Sequence, residues 1–200
     1  MNNKEKLLVA GIKLFAENDY ELVTNKMITD MVGINSAMVS YYFQSKENFY
    51  LEVIKYSSDK IILAFETFQP QNLETSNAEE LLEQISYSID VYLEAFFSDY
   101  GQFFAIIYHR NLIKPNNLLA IQEYNRPIET VTIKYTKLFD AYYKSTRIED
   151  INADFVLIKV ASIVYFMIFH SRTASQLAPQ RMNDIKNIKT LLLKSVINGY

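Results

Sequence analysis

Between Thr24 and Ser45 the chain is punctuated so closely that few folds can accommodate it. Thr24, Asn35 and Ser45 each stand just ahead of a helical pattern, where a side-chain oxygen can accept a hydrogen bond from an N–H of the first turn. Gly33 interrupts the run, and glycine most readily takes the left-handed conformation that closes a helix. The stretch therefore reads as a second helix ending at Gly33, a third running through Tyr42, and a fourth that starts at Lys46. Two helices and a glycine turn within about twenty residues have the spacing of a helix-turn-helix, whose second helix enters the major groove of DNA.

The flanking residues extend this reading. Leu7, Leu8, Gly11, Leu14 and Phe15 recur at helical spacing and predict a first helix from about Lys4 to Glu17. It stops at Asn18-Asp19, residues that tolerate a left-handed backbone. Met27, Ile28, Met31 and Val32 make the apolar face of the second helix. In the third, Val39 and Phe43 lie at i and i+4 and turn inward, leaving Ser36, Ser40, Tyr41 and Tyr42 for DNA.

Beyond about Phe68, where the fourth helix ends, Gln69 to Asn77 with Pro70 inside it reads as a linker. Longer, aromatic-rich helices follow, at about Ala78–Ser98, Tyr100–Ile113, Asn116–Asn125, Pro127–Ser145, Ile151–Leu177 and Asn183–Asn198. Pro115 and Pro127 sit where helices can begin, since a first-turn proline gives up only an already missing hydrogen bond. With four glycines, four prolines and no strand alternation, the chain is expected to be all-α. An N-terminal three-helix helix-turn-helix DNA-binding domain at residues 1–46 precedes a larger helical ligand-binding and dimerisation domain at residues 47–200.

Several classes fall away. There is no cysteine, which excludes disulfides and thiolate metal sites. His109 and His170 lie far apart without a partner at helical spacing, so no metal and no cofactor is expected. The apolar run from Leu7 to Ile12 is too short for a signal peptide. Phe155 to Phe169 contains Lys159 and falls short of the roughly 20 residues of a membrane span. The protein is expected to be cytoplasmic, without a membrane partner. No nucleophile motif, phosphate loop or acid–base set suggests an enzyme.

Leu14-Phe15, Thr24, Ile28, Gly33-Ile34, Tyr41-Tyr42-Phe43 and Ser45-Lys46-Glu47 together resemble the N-terminal signature of the tetracycline-repressor (TetR) family of bacterial regulators. The likeness covers about Lys4 to Val53. It departs from the family pattern at Asp19, where a glycine is usual, at Thr29, where a small residue is usual, and at Ser40, where a tyrosine is usual. It implies a homodimeric, ligand-responsive repressor that binds double-stranded DNA and is released by a small-molecule effector.

Charge limits how such a module could hold DNA. The formal net charge is −3, and from Met1 to Tyr50 five lysines face six carboxylates, for a net −1. The third helix carries no charge, so arginine readout of guanine is excluded there. DNA contact is expected from Thr24, Asn25, Lys26, Asn35, Ser36, Ser40, Tyr41, Tyr42 and Lys46, largely through hydroxyls and helix N-termini. Tyrosines mixed among phenylalanines suggest a cavity with polar points for an apolar or aromatic ligand, with Phe104, Tyr108, Tyr124, Tyr135, Phe166 and His170 as its lining. Apolar stripes on the last two helices place the dimer interface at Val164, Ile168, Ile185, Ile188, Leu192 and Val196. The alternative reading is a helical small-molecule-binding or scaffolding protein without DNA binding.

Overall fold

The computed structural model describes residues 1–113, 118–177 and 185–199, with side chains described for 1–110, 121–169 and 186–199. Helix α1 (Asn3–Glu17) starts at a capping box, in which Asn2 accepts from the Glu5 N–H and Glu5 accepts from the Asn2 N–H. Its end differs from expectation. Asn18 and Asp19 are both extended rather than left-handed, and Asn18 closes the helix by donating its backbone N–H and its Nδ2 to the Leu14 carbonyl. A 3₁₀ turn at Tyr20–Leu22, unanticipated from sequence, leads to α2 (Asn25–Val32), which Gly33 ends at φ 75°. Then come α3 (Ala37–Phe43) and α4 (Lys46–Glu66). After the linker lie α5 (Ala78–Phe97), α6 (Asp99–Ile113), α7 (Leu118–Thr146), α8 (Ala153–Leu177) and α9 (Ile185–Asn198). The described residues form no strand.

By their internal contacts the helices divide into two units, Met1–Ile61 with Asp99–Pro127, and Ile62–Ser98 with Ile128–Tyr200. In the first, α1 packs on α2 and α6 around Leu7, Ile12, Phe15, Ile28, Val39, Phe49 and Val53, all buried. Met27 and Met31, expected on the apolar face of α2, are exposed; Ile28 and Thr29 are what the helix buries. In the second, α9 packs on α5 and α8, and Lys189 meets Asp90 at 2.6 Å. Tyrosine is polar at its tip, and here the tips are satisfied by backbone. The Tyr135 hydroxyl donates to Ser88 O at 2.6 Å and that of Tyr143 to Val196 O at 2.7 Å. Burial pushes both hydroxyls well above their ordinary pKa, so they remain neutral donors. The linker is pinned by reciprocal bonds, Gln71 N–H to Gln84 Oε1 at 2.8 Å and Gln84 Nε2 to Gln71 O at 3.0 Å.

The largest departure from the sequence reading is α7. Two helices were expected, the second starting at Pro127; instead Pro127 lies inside one continuous helix. (Asn116 and Pro115 lie outside the described residues.) Proline has no N–H, so the carbonyl four residues back, Glu123 O, loses its usual donor. Ser58, fully buried on α4, supplies one: its hydroxyl donates to Glu123 O at 2.9 Å. Replacing Ser58 with alanine should leave that carbonyl without this donor and lower the unfolding free energy by about 1–3 kcal/mol. Denaturant titration would register this as a lower midpoint at unchanged slope.

Candidate nucleic-acid interface

Helix α3 is assembled from local rules. Thr24 Oγ1 accepts from Met27 N–H at 3.2 Å and starts α2. Asn35 Oδ1 accepts from Ala37 N–H at 2.8 Å and starts α3, which relieves Ser36 of the capping role its position would give it. Val39 and Phe43 are buried, and Phe43 meets Phe49 edge-on at 4.8 Å, locking α3 to α4. Ser36, Ser40 and Tyr41 are left exposed, Tyr41 at 75%. Tyr42 is half-buried against Tyr41, with ring centroids 5.1 Å apart. Ala37, which the sequence reading passed over, is exposed on the same helix.

Between α3 and α4 the backbone turns sharply at Gln44, with φ 68° and ψ −44°, and Ser45 N–H donates to Phe43 O at 2.8 Å. That is a γ-turn of the strained hand, held by a non-glycine residue. Nothing in the sequence marks it. Ser45 then caps α4 by accepting from Asn48 N–H at 3.0 Å.

The cations are less available than their positions suggest. Lys26 pairs with Asp30 at 2.9 Å on an exposed face, a bond weak enough to be traded for a stronger anion. Lys46 donates to Glu21 O at 3.3 Å and lies 4.4 Å above the Tyr20 ring. Burial lowers its pKa, an effect the Glu21 carboxylate partly offsets. An ammonium has three protons, and that bond uses one, so Lys46 can both tie the 3₁₀ turn to α4 and meet a phosphate. Asn25 does not join the outer face through its Oδ1, which is buried.

Residues 7–53 match the family model of bacterial regulatory proteins, tetR family. The likeness at the front of this chain is to the TetR family. Solved structures extend the likeness to the whole chain. A TetR transcriptional regulator from Legionella pneumophila is 16% identical at a TM-score of 0.70, the match covering 98% of this chain and 97% of that one. FadR from Bacillus subtilis, in complex with stearoyl-CoA, is 17% identical at 0.62, covering 98% of each chain. A transcriptional regulator from Saccharomonospora viridis, in complex with choline, is 15% identical at 0.67, covering 97% and 95%. At these identities the likeness establishes the TetR fold. No curated protein matches the chain.

Outside the TetR-like front, the residues expected to share one ligand site separate. Phe104, Tyr108 and Tyr124 do come together, with centroids 5.4 to 6.2 Å apart. Tyr124 is buried and its hydroxyl, bonded to that of Tyr50, is raised well above its ordinary pKa, first by burial and then by that neighbour. Tyr135 belongs instead to a cluster with Phe65, Phe68, Tyr92 and Phe139. Phe166 is 60% exposed and stands apart from both clusters. The open grooves lined by Gln71, Gln84 and Tyr87, by Lys137 and Lys144, and by Asp150 and Asp154 contain none of these expected ligand residues. Val164, Ile168, Ile188, Leu192 and Val196, expected at a dimer interface, are buried in the subunit's own core. The side chains of His170 and Ile185 lie outside the described residues. No described helix is long and apolar enough to cross a membrane, and no described cluster of His, Asp and Glu could hold a metal.

Proposed function

We propose that this chain is a ligand-responsive transcriptional repressor that grips a pseudo-palindromic DNA duplex as a homodimer. Residues 1–46 read DNA and residues 47–200 hold the effector and the second subunit. The observation that carries the reading is α3, clamped by Val39 and Phe43 on one side and presenting Ser36, Ser40 and Tyr41 on the other. Hydroxyls of Ser and Tyr suit phosphates and base edges alike. Thr24, Asn25, Lys26, Asn35, Tyr42 and Lys46 flank that surface, with Asn25 contributing backbone rather than its inward Oδ1.

The dimer contact we assign lies on a different face of α8 from the one read from sequence. Phe155, Ile158 and Phe166 recur at helical spacing and are 65%, 61% and 60% exposed, and Leu191 on α9 is 50% exposed. An apolar stripe of this kind fits an isologous contact. Two subunits so joined set their recognition helices about 34–36 Å apart, one turn of DNA. The cluster of Phe104, Tyr108 and Tyr124 is the region we assign to an apolar or aromatic effector, whose binding shifts the dimer away from that spacing. Solved structures of this fold hold ligands as unlike as stearoyl-CoA and choline, so the fold does not dictate the effector's class.

Selection of duplexes from a randomised pool tests the reading directly. The wild-type protein should enrich a sequence with two inverted half-sites; no enrichment would end the proposal. Its affinity should fall only shallowly with salt, because few lysines are available to displace counterions. Lys46→Ala should weaken all duplexes alike and reduce the salt slope by about 1 for each subunit. An unchanged slope would assign Lys46 wholly to its bond with Glu21.

A further inference from the structure

Arg110, on α6, stands outside the proposed DNA interface yet grips the corner from which that interface is built. The last turn of α1 has no basic residue of its own, and its terminal carbonyls need donors. Leu14 O is served by Asn18. Phe15 O and Asn18 O both accept from one nitrogen, Arg110 Nη1, each at 2.9 Å. The guanidinium thus places positive charge at the negative end of the α1 dipole and joins the helix to the first residue beyond it. At the same corner, Lys46 holds Glu21 O and covers Tyr20. The rings of Phe15 and Tyr20 stack at this corner, 5.9 Å apart and inclined by 18°.

We propose that Arg110 is a positioning residue for DNA reading, which sets the angle of the α1–α2 corner and through it the presentation of α3. The inference rests on the DNA-binding reading above. Residues 18–23 are the whole connection between α1 and Thr24, the cap of α2, and Arg110 holds both the last turn of α1 and the first residue of that connection, so a shift of this corner is passed on to α2. Base readout needs atomic fit, whereas non-specific phosphate binding does not. Loss of the brace should therefore weaken specific binding selectively.

The test titrates wild type, Arg110→Met and Arg110→Lys against the duplex that wild type selects from a randomised pool, and against a scrambled duplex of equal length. Thermal unfolding is recorded alongside. Arg110→Met should lose about tenfold on the selected duplex, the scale of a charge-assisted hydrogen bond, and almost nothing on the scrambled one. Arg110→Lys, whose ammonium can serve both carbonyls, should restore most of the loss. If the Met variant does not fold, Arg110→Gln, which keeps a donor but no charge, should show a smaller loss confined to the selected duplex. Unchanged affinity for the selected duplex, or equal loss on both duplexes, overturns the proposal. Failure of wild type to select any duplex removes the DNA-binding reading itself, a result distinct from either.

Discussion

Leu192→Asp should leave little soluble folded protein, whereas Phe166→Asp should leave a folded protein that no longer pairs. Leu192 is fully buried where α9 packs on α5 and α8. A carboxylate there must give up water without a partner, at a cost of several kcal/mol against a total stability of roughly 5–15 kcal/mol. Phe166 is exposed in the subunit, so an aspartate there costs the fold little. In an isologous interface it would set like charges near their symmetry mates. Sedimentation velocity should show monomers, and affinity for a full duplex should drop about a hundredfold once the second half-site is no longer tethered. A Phe166→Asp protein that stays dimeric would move the interface off this stripe.

Gly11 is the second sensitive point. A Cβ built there would lie 2.6 Å from Phe49 Cζ and 2.6 Å from Val53 Cγ2, and both of those side chains are fully buried. Glycine inside a helix usually costs about 0.5–1 kcal/mol relative to alanine. Here the sign should reverse, because α1 and α4 approach too closely for a methyl group. Gly11→Ala should destabilise by about 1–3 kcal/mol, the range for overpacking, and Gly11→Leu should abolish duplex binding. Chemical denaturation and a titration on the selected duplex would measure the two effects. A stabilised Gly11→Ala protein would mean that Phe49 and Val53 yield easily.

The contrast between these residues shows which signals are local. Caps, the turn glycine and the inward pair Val39 and Phe43 depend on neighbours within a few positions, so the helix-turn-helix was legible from Thr24 to Ser45. The face by which α8 meets its own subunit was not. That helix is apolar nearly all round, and periodicity cannot say whether Val164 or Phe166 meets α9. Burial decides it, with Val164 inside and Phe166 outside. Gly11 was placed correctly on the apolar face of α1, but only the approach of α4 reveals why it must be glycine. The brace from Arg110 to Phe15 and Asn18 joins elements remote in sequence, and no spacing rule connects them. Among the aromatics, Phe104, Tyr108 and Tyr124 converge while Tyr135 does not, a distinction set by helix packing alone.

Pro127 escapes a sequence reading for the same reason: a local rule makes proline a helix start, while Ser58, on another helix, supplies the donor that its place in the interior removes. That arrangement gives the two positions a preferred order of change over descent. Losing the proline first is mild, since the returning N–H merely gives Glu123 O a second donor. Serine 58 can then drift to alanine at little cost. Losing the serine first strands the carbonyl, and a lineage taking that step must cross a less stable intermediate before the proline can go. The pair therefore behaves as a ratchet, in which the proline holds the serine in place and the serine does not hold the proline.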